Sequence, residues 1–187
     1  MGRQDTQGSA LKNSEYSLFN IKKYIDDRGF FYESFSKSVS REIDLPFLQD
    51  NISFSKKGVI RGLHYQWDKP MGKLVHVVKG VIIDHIVDIR KGSETYGENY
   101  SFKISSKNNK LLWIPPGFAH GFESLQDSII MYKCTSFYNE AAEGCIDIFD
   151  KKINLSLTID KKHVIISEKD KNGISWEEYN RNAKFNI

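Results

Sequence analysis

The sequence predicts an all-β fold, a sandwich or barrel with a few short helices. Apolar and β-branched residues occur in runs that are too short between turns to be helices. Glycine, asparagine and proline separate these runs, as they do in the turns between strands. Roughly eight to ten such runs follow one another with little helical pattern between them, which is typical of sandwiches and barrels.

The chain is predicted to form a single domain over residues 15–187. Its 187 residues are 40% hydrophobic, which is enough to bury a core without disulfides or metals. Residues 1–14 are polar and contain glycine and serine, so we predict a loose leader or an expression remnant there.

The first part of this domain is predicted to hold two strands and one helix. A turn signal at residues 26–29 leads into an aromatic strand over residues 30–35. A short helix is predicted over residues 38–43, before Pro46. The next strand is predicted over residues 48–55.

The rest of the domain is predicted to be almost continuous strand. Residues 100–105 alternate apolar with polar side chains, the period of a half-buried strand. A short helix is predicted within residues 176–187. The other predicted strands cover residues 74–78, 81–89, 111–114, 128–138 and 163–167.

Composition excludes several functions. Twenty-seven basic and twenty-four acidic residues give a net charge of only +3 without a long basic block, so no nucleic-acid partner is expected. No apolar run approaches the ~18 residues of a membrane span. Two cysteines, Cys134 and Cys145, are too few for a disulfide framework, so we expect a cytoplasmic protein in which both serve packing.

Two glycine-flanked histidines, His64 and His120, indicate one polar site among aromatic residues. Metal-binding cupins use a His-x-His motif and a second motif, Pro-x-Gly-x-x-His. His120 completes the second motif, but Gln66 stands where the first needs its second histidine. Two imidazoles are a poor zinc or iron site, so we predict no metal. His76 and His85 are interpreted as surface or rim histidines.

A metal-free pocket with these residues is suited to proton transfer. An unperturbed histidine has a pKa near ~6.5, so His64 suits a base at neutral pH, especially with a carboxylate on its other nitrogen. Tyr132 and Tyr138 lie six residues apart in a predicted strand and would share a face. The same spacing is explained if the two tyrosines pack in the core or at its rim and Lys73 lies on the surface. The spacing alone therefore supports only a barrel with a polar pocket.

Several motifs, in order over residues 17–170, resemble the dTDP-4-dehydrorhamnose 3,5-epimerase family, metal-free cupins of nucleotide-sugar biosynthesis. These motifs are Arg61-Gly-Leu-His-Tyr-Gln66, Gly72-Lys-Leu-Val75, Val87-Asp-Ile-Arg-Lys-Gly-Ser93, Ile114-Pro-Pro-Gly-Phe-Ala-His-Gly-Phe122, Tyr132-Lys-Cys-Thr135 and Ser167-Glu-Lys-Asp170. The resemblance implies a cupin-type jelly-roll and an isomerase without a cofactor, which epimerises C3 and C5 of a dTDP-4-keto-6-deoxy sugar.

The resemblance also implies roles for single residues. His64 matches the base, Asp170 its carboxylate partner, Lys73 the cation near the enolate oxygen, and Tyr132 the acid on the opposite face. Family members are usually homodimers that exchange N-terminal strands. The residues that match positions of substrate binding are Arg28, Glu33, Gln49, Asn51, Arg61, His120, Tyr138, Glu143 and Lys169.

Three departures leave the exact reaction open. Met71 replaces a glutamine usual in the family, His85 replaces a small apolar residue or an aromatic, and residues 145–158 lack the usual Trp-Asp and Trp-Pro pairs. An epimerase that acts at C3 alone is therefore an alternative. A metal-dependent cupin enzyme and a non-catalytic cupin that binds sugar nucleotides are two others.

Overall fold

Two five-stranded antiparallel sheets form the framework of residues 15–187, the part of the chain that the computed structural model describes. With strands numbered along the chain, the first sheet has the order β1-β10-β6-β12-β4. Its strands are β1 (Ser17–Asn20), β4 (Gln49–Ser55), β6 (Lys73–Lys79), β10 (Lys110–Ile114) and β12 (Ser128–Cys134). The leader predicted over residues 1–14 lies outside the described residues.

The second sheet has the order β13-β5-β11-β7-β9. Its strands are β5 (Ile60–Gln66), β7 (Val81–Asp88), β9 (Asn99–Ser105), β11 (Phe118–Ser124) and β13 (Glu143–Cys145). Two small pairs complete the strands: a hairpin of β2 (Lys23–Asp26) and β3 (Gly29–Tyr32), and β8 (Arg90–Lys91) parallel to β14 (Phe185–Asn186). The all-β, jelly-roll prediction is confirmed.

Helices are short and lie outside the sheets. They are α1 (Lys37–Ile43), α2 (Glu168–Lys171) and α3 (Trp176–Arg181), with 3-10 turns at Glu140–Ala142 and Lys161–His163. Helix α1 ends where Asp44 takes a left-handed conformation and its N–H binds the carbonyl of Ser40, two residues before Pro46. None of the described helices is long and apolar enough to cross a membrane.

Three apolar clusters pack the two sheets against each other and against the segments outside them. The cluster between the sheets draws on both of them and includes Val75, Val77, Ile82 and Ile86. A second cluster joins the outer face of the second sheet to the C-terminal segment, and a third joins the first sheet to α1. Each buried Leu or Ile contributes roughly 1.5–3 kcal/mol, so both outer layers are firmly attached.

The outer layers explain why the interpretation of His76 and His85 is wrong. Both histidines are buried. The ring of Tyr32 in β3 packs edge-on against His76, with the centroids 5.4 Å apart. His85 binds Glu123 and Ser101, and Glu123 also holds the C-terminal segment. The alternating pattern of a strand identifies its two faces, but it does not show that other parts of the chain cover both of them.

Two strand predictions are also wrong. Strand β12 ends at Cys134, because the side chain of Gln66 binds the carbonyl of Phe137 and the N–H of Asn139 and so directs this segment away from the sheet. Residues 163–167 form no strand and make only the bridge between Val59 and Ile165. The other predicted strands and both predicted helices are present, with shifted ends.

Candidate active site

A cavity of about 330 Å³ opens between side chains of both sheets. Met71, Ile52, Ile114 and Phe118 supply much of its apolar wall. Eight residues predicted for the site line it: His64, Lys73, Tyr132, Gln49, Asn51, His120, Tyr138 and Glu143. The structure therefore brings together residues that are up to 94 positions apart, from Gln49 to Glu143.

His64 and Asp170 form a direct pair at the edge of this pocket. His64 Nε2 lies 2.6 Å from Asp170 Oδ1, and the N–H of Gly62 donates to Oδ2 over 3.3 Å. Burial alone would raise the pKa of Asp170, but the hydrogen bond and charge of His64, with the Gly62 N–H, hold it below its usual value. Asp170 is thus kept as a carboxylate beside the imidazole.

The Ser-Glu-Lys-Asp motif positions this carboxylate. Ser167 is the N-cap of α2, and its Oγ accepts a hydrogen bond from the N–H of Asp170 over 3.1 Å. Asp170 is only 3% exposed. Because the cap fixes the single turn of α2, the Asp170 side chain is directed at β5.

Close contact between β5 and β11 places His64 beside His120. The two histidines are paired in register. Gly62 has a φ of +102°, and a Cβ there would lie 2.5 Å from both Gly121 Cα and the carbonyl oxygen of His120. Only glycine satisfies both the backbone angle and the contact.

His120 has its own carboxylate, which the sequence reasoning missed. His120 Nε2 lies 3.0 Å from Asp84 Oδ2, and Asp84 is fully buried on β7. Burial lowers the pKa of His120, although Asp84 opposes this. Asp84 is two residues from both Ile82 and Ile86, which face the core between the sheets. An acidic residue at an inward-facing position of a strand was the sequence signal that could have identified Asp84 as a partner of the site.

Lys73 and Tyr132 present a cation and a phenol to the same pocket. Lys73 is half-buried at the start of β6, and no side-chain hydrogen bond or ion pair holds it within residues 15–187. Burial lowers the pKa of the Lys73 ammonium, with Cys134, Glu143 and Asp84 opposing. Burial raises the pKa of the Tyr132 phenol, so it keeps its proton at neutral pH.

Tyr138, Glu143 and Lys169 form a polar cluster at the pocket. Tyr138 Oη donates to Glu143 Oε2 over 2.7 Å, and Lys169 forms an ion pair with the same carboxylate. Burial would raise the pKa of Glu143, but Lys169 and Tyr138 lower it overall. The prediction that Tyr132 and Tyr138 share a strand is wrong, although both line the cavity.

Four residues predicted to bind substrate do not line this cavity: Lys169, which reaches it only through Glu143, and Arg61, Arg28 and Glu33. Arg61 is exposed and donates to Ser55 Oγ and to the carbonyl of Phe54. Arg28 is at the turn of the β2–β3 hairpin, 90% exposed and paired with Asp26 over 2.6 Å. Glu33 follows the hairpin and is also exposed. A single chain does not bring the last two to the pocket.

Gln66, which stands where metal-binding cupins have their second histidine, is not free to bind a metal. The amide of Gln66 is held by the carbonyls of Asp68, Lys69 and Phe137. Cys145, which we interpreted as packing only, has its Sγ 3.9 Å from Asp170 Oδ1. Burial and then Asp170 raise the pKa of this thiol to about 12, so the thiolate that metals bind is disfavoured at rest. No spacing rule indicated that Cys145 would face Asp170.

Comparison with known proteins identifies relatives over most of the chain. A family model described as dTDP-4-dehydrorhamnose 3,5-epimerase matches residues 11–178. The enzyme of that name from Methanothermobacter thermautotrophicus is 43% identical over 166 residues, covering 87% of this chain and 88% of that protein.

Two solved structures show the same similarity in three dimensions. The dTDP-6-deoxy-D-glucose-3,5-epimerase of Legionella pneumophila, in complex with dTDP-4-keto-L-rhamnose, has a TM-score of 0.82 and 40% identity, covering 86% of this chain and 87% of that one. A 3'-monoepimerase of Streptomyces bikiniensis, in complex with dTDP-quinovose, has a TM-score of 0.85 and 25% identity, covering 92% and 89%. By sequence and by structure, this chain belongs to the dTDP-4-dehydrorhamnose 3,5-epimerase family of isomerases.

Proposed function

We propose that the protein epimerises C3 and C5 of a dTDP-4-keto-6-deoxyhexose without a cofactor, in deoxysugar biosynthesis of the rhamnose type. One observation carries the proposal: the His64–Asp170 pair stands at a pocket that also presents Lys73 and Tyr132. A base, a cation and a neutral acid in one cavity are the groups that an enolate mechanism needs.

The reaction begins with proton removal next to the C4 ketone. The carbonyl acidifies the hydrogens on C3 and C5, and His64 removes one of them. Asp170 stabilises the imidazolium that forms, because it is held as a carboxylate 2.6 Å away. Charge then develops on the C4 oxygen, where the Lys73 ammonium stabilises it in a half-buried setting.

Inversion requires a proton from the other face of the sugar. Tyr132 is on β12 in the first sheet, whereas His64 is on β5 in the second sheet. The substrate lies between them, so His64 acts on one face of the ring and Tyr132 on the other. The raised pKa of Tyr132 keeps the phenol protonated until it donates.

The remaining polar residues bind the nucleotide sugar. His120, held by Asp84, donates to a sugar oxygen, while Gln49 and Asn51 contact the sugar from β4. The cluster at the mouth, Tyr138 with Glu143 and Lys169, contacts the nucleotide, with Tyr138 stacking on the base. Arg61 supplies charge for the pyrophosphate.

A homodimer supplies the residues that one chain leaves outside its pocket. Arg28 and Glu33 belong to the β2–β3 segment, where Tyr24, Ile25, Phe30 and Phe31 are all more than half exposed. An apolar surface of this kind marks an interface. With N-terminal strands exchanged, Arg28 and Glu33 of a second copy reach the substrate. Free Cys134 and Cys145 fit a reducing, cytoplasmic setting.

Incubation with dTDP-4-keto-6-deoxyglucose in deuterated water tests the reaction. Deuterium at both C3 and C5 of the product is expected. Deuterium at C3 alone would instead identify a C3 epimerase, the second candidate, which the similarity to the Streptomyces bikiniensis 3'-monoepimerase favours. No exchange with this or a related nucleotide sugar would refute the epimerase function and leave a binding cupin.

Metal analysis tests the cofactor-free mechanism. Chelator treatment is expected to leave the exchange rate unchanged, because no step above uses a metal. Activity that is lost on chelation and restored by stoichiometric iron, zinc or manganese would show a metal-dependent cupin enzyme.

A further inference from the structure

Three different metal-binding groups meet where β13 joins β5. Cys145 stands directly opposite His64 in the register of these strands. Asp170 lies against both, with its Oδ1 2.6 Å from His64 Nε2 and 3.9 Å from Cys145 Sγ. One donor atom from each residue lies within 4.8 Å of the other two. The cluster thus combines imidazole, thiol and carboxylate, all of which bind zinc.

The spacing is close to that of a tetrahedral site. Bond lengths of about 2.0–2.3 Å to nitrogen, oxygen and sulfur place neighbouring donors roughly 3.3–3.7 Å apart. His64 and Asp170 must separate by less than about 1 Å, and Cys145 must approach them by about as much. The β13–β5 pairing and the Ser167 cap of α2 hold the three backbones in place during such shifts.

We propose that His64, Cys145 and Asp170 form an inhibitory site for a thiophilic divalent cation such as Zn²⁺ or Cd²⁺. The cation replaces the thiol proton, which passes to solvent, and the proton between His64 and Asp170 moves to Nδ1 of His64, so that the ring binds the cation as neutral imidazole. Water fills the fourth position, toward the cavity that His64 lines. The inhibition rests on the proposed function, because the ion is bound to His64, the proposed base. The binding of the ion does not depend on the proposed function.

The donor set also defines which ions bind. Sulfur and imidazole select zinc and cadmium, whereas Mg²⁺ and Ca²⁺ prefer sets made of oxygen ligands. The other candidate donors nearby are already bound, since Asp84 holds His120 and three backbone carbonyls hold Gln66. The site therefore has three protein ligands and an open position.

Cobalt binding to the chelator-treated protein tests the site without any assay of activity. One Co²⁺ per chain is expected, with the sulfur-to-cobalt charge-transfer absorption of a cysteine ligand, and Zn²⁺ should displace it. Cys145→Ser should abolish this absorption and weaken Zn²⁺ binding by at least the roughly 10- to 100-fold that even outer-shell changes cost. Cys134→Ser, at the fully buried cysteine of β12, is the matched control and should keep both.

Solvent exchange tests the inhibition. Zn²⁺ should stop exchange in the unaltered protein, and a chelator should restore it. Cys145→Ser should exchange normally without Zn²⁺, and its inhibition should need a Zn²⁺ concentration that is higher by at least the same roughly 10- to 100-fold. Absence of the charge-transfer band, or its persistence in Cys145→Ser, would overturn the site. Binding without inhibition would overturn the inhibitory role alone. Inactive metal-free protein that still shows the band would support the site while refuting the proposed function.

Discussion

At the scale of single residues, the pocket keeps a proton acceptor and a proton donor in different electrostatic surroundings. His64 has a carboxylate at one ring nitrogen, whereas burial raises the pKa of the Tyr132 phenol further above neutral pH. The residue pattern alone indicated His64 as a base, whereas the roles of Tyr132 and Lys73, on the adjacent strands β12 and β6, came from the resemblance. Asp170 was predicted only through the resemblance, because no spacing rule relates a one-turn helix to a strand 106 residues earlier.

Asp170→Asn should lower the rate of proton exchange at the sugar by about 10²- to 10⁴-fold, because an amide cannot stabilise the imidazolium. Deuterium incorporation followed by NMR measures this. Asp160→Asn, at an exposed carboxylate beside His163, is the matched control and should exchange normally. An unchanged rate in Asp170→Asn would remove Asp170 from the mechanism.

Lys73→Met should reduce kcat by about 10²- to 10³-fold, since the enolate oxygen loses its cation. The free energy of unfolding should stay equal or rise, because burial lowers the pKa of this ammonium and so disfavours its charge in the folded state. Steady-state kinetics and urea unfolding measure the two effects. The control is Lys79→Met, at the exposed end of the same strand; equal kcat losses in both variants would contradict the role of Lys73.

Tyr132→Phe should still exchange the first proton but should fail to invert the carbon, because only the returning proton is missing. Product stereochemistry and deuterium content, measured together, separate these two events. Loss of exchange as well as inversion would show that Tyr132 acts earlier than proposed.

At the scale of elements, the outer layers depend on a few buried polar contacts. Glu123 on β11 accepts hydrogen bonds from the N–H groups of Thr158 and Ile159 and lies 3.0 Å from His85 Nε2. These contacts hold the segment before α2 against the second sheet. Sequence reasoning gave the bounds of several strands, such as β7 and β9, whose pattern is local. It gave no bounds for β11 and missed this arrangement, because the contacts join residues without any shared pattern.

Glu123→Gln should lower the free energy of unfolding by about 1–3 kcal/mol near neutral pH, since an amide group then faces backbone donors. Burial would raise the pKa of Glu123, but His85 and the two N–H groups lower it overall. The contribution of the Glu123 carboxylate to the free energy of unfolding is therefore complete above the usual carboxyl pKa. It is lost as the pH falls through the lower pKa that Glu123 has in the folded protein.

Urea unfolding near neutral pH and in acid measures this dependence, and the gap between Glu123→Gln and the unaltered protein should narrow in acid. Glu177→Gln, at a surface pair with Lys152, is the control and should behave like the unaltered protein. A gap that widens in acid would contradict the assignment.

At the scale of the whole molecule, the hairpin of β2 and β3 leaves an apolar surface uncovered in the single chain. Its aromatic side chains stack on one another, as Phe30 does on Tyr32, and yet remain exposed. The sequence predicted this aromatic strand, but a sequence does not define whether the strand packs on its own chain or on a second copy. We propose that residues 15–187 act as one domain and that two such domains form the active unit.

Ile25→Ser combined with Phe31→Ser should convert the dimer to a monomer and lower kcat/KM at least about tenfold, because Arg28 then lacks a charged hydrogen bond to substrate. Size-exclusion chromatography with light scattering, together with the exchange assay, measures both effects. Ile165→Ser, at another exposed apolar position, is the control. A variant that stays dimeric, or an unaltered protein that is monomeric, would contradict the proposal.

The position of Asp170 in the chain also governs when the site matures during synthesis. Strands carrying His64, Lys73 and Tyr132 leave the ribosome well before α2, whose carboxylate completes the pair. Until then, His64 has no carboxylate to stabilise its charged form. Under the proposed mechanism, a nascent chain can therefore build most of its sheets before the His64–Asp170 pair exists, and we expect turnover to begin only when the C-terminal segment docks.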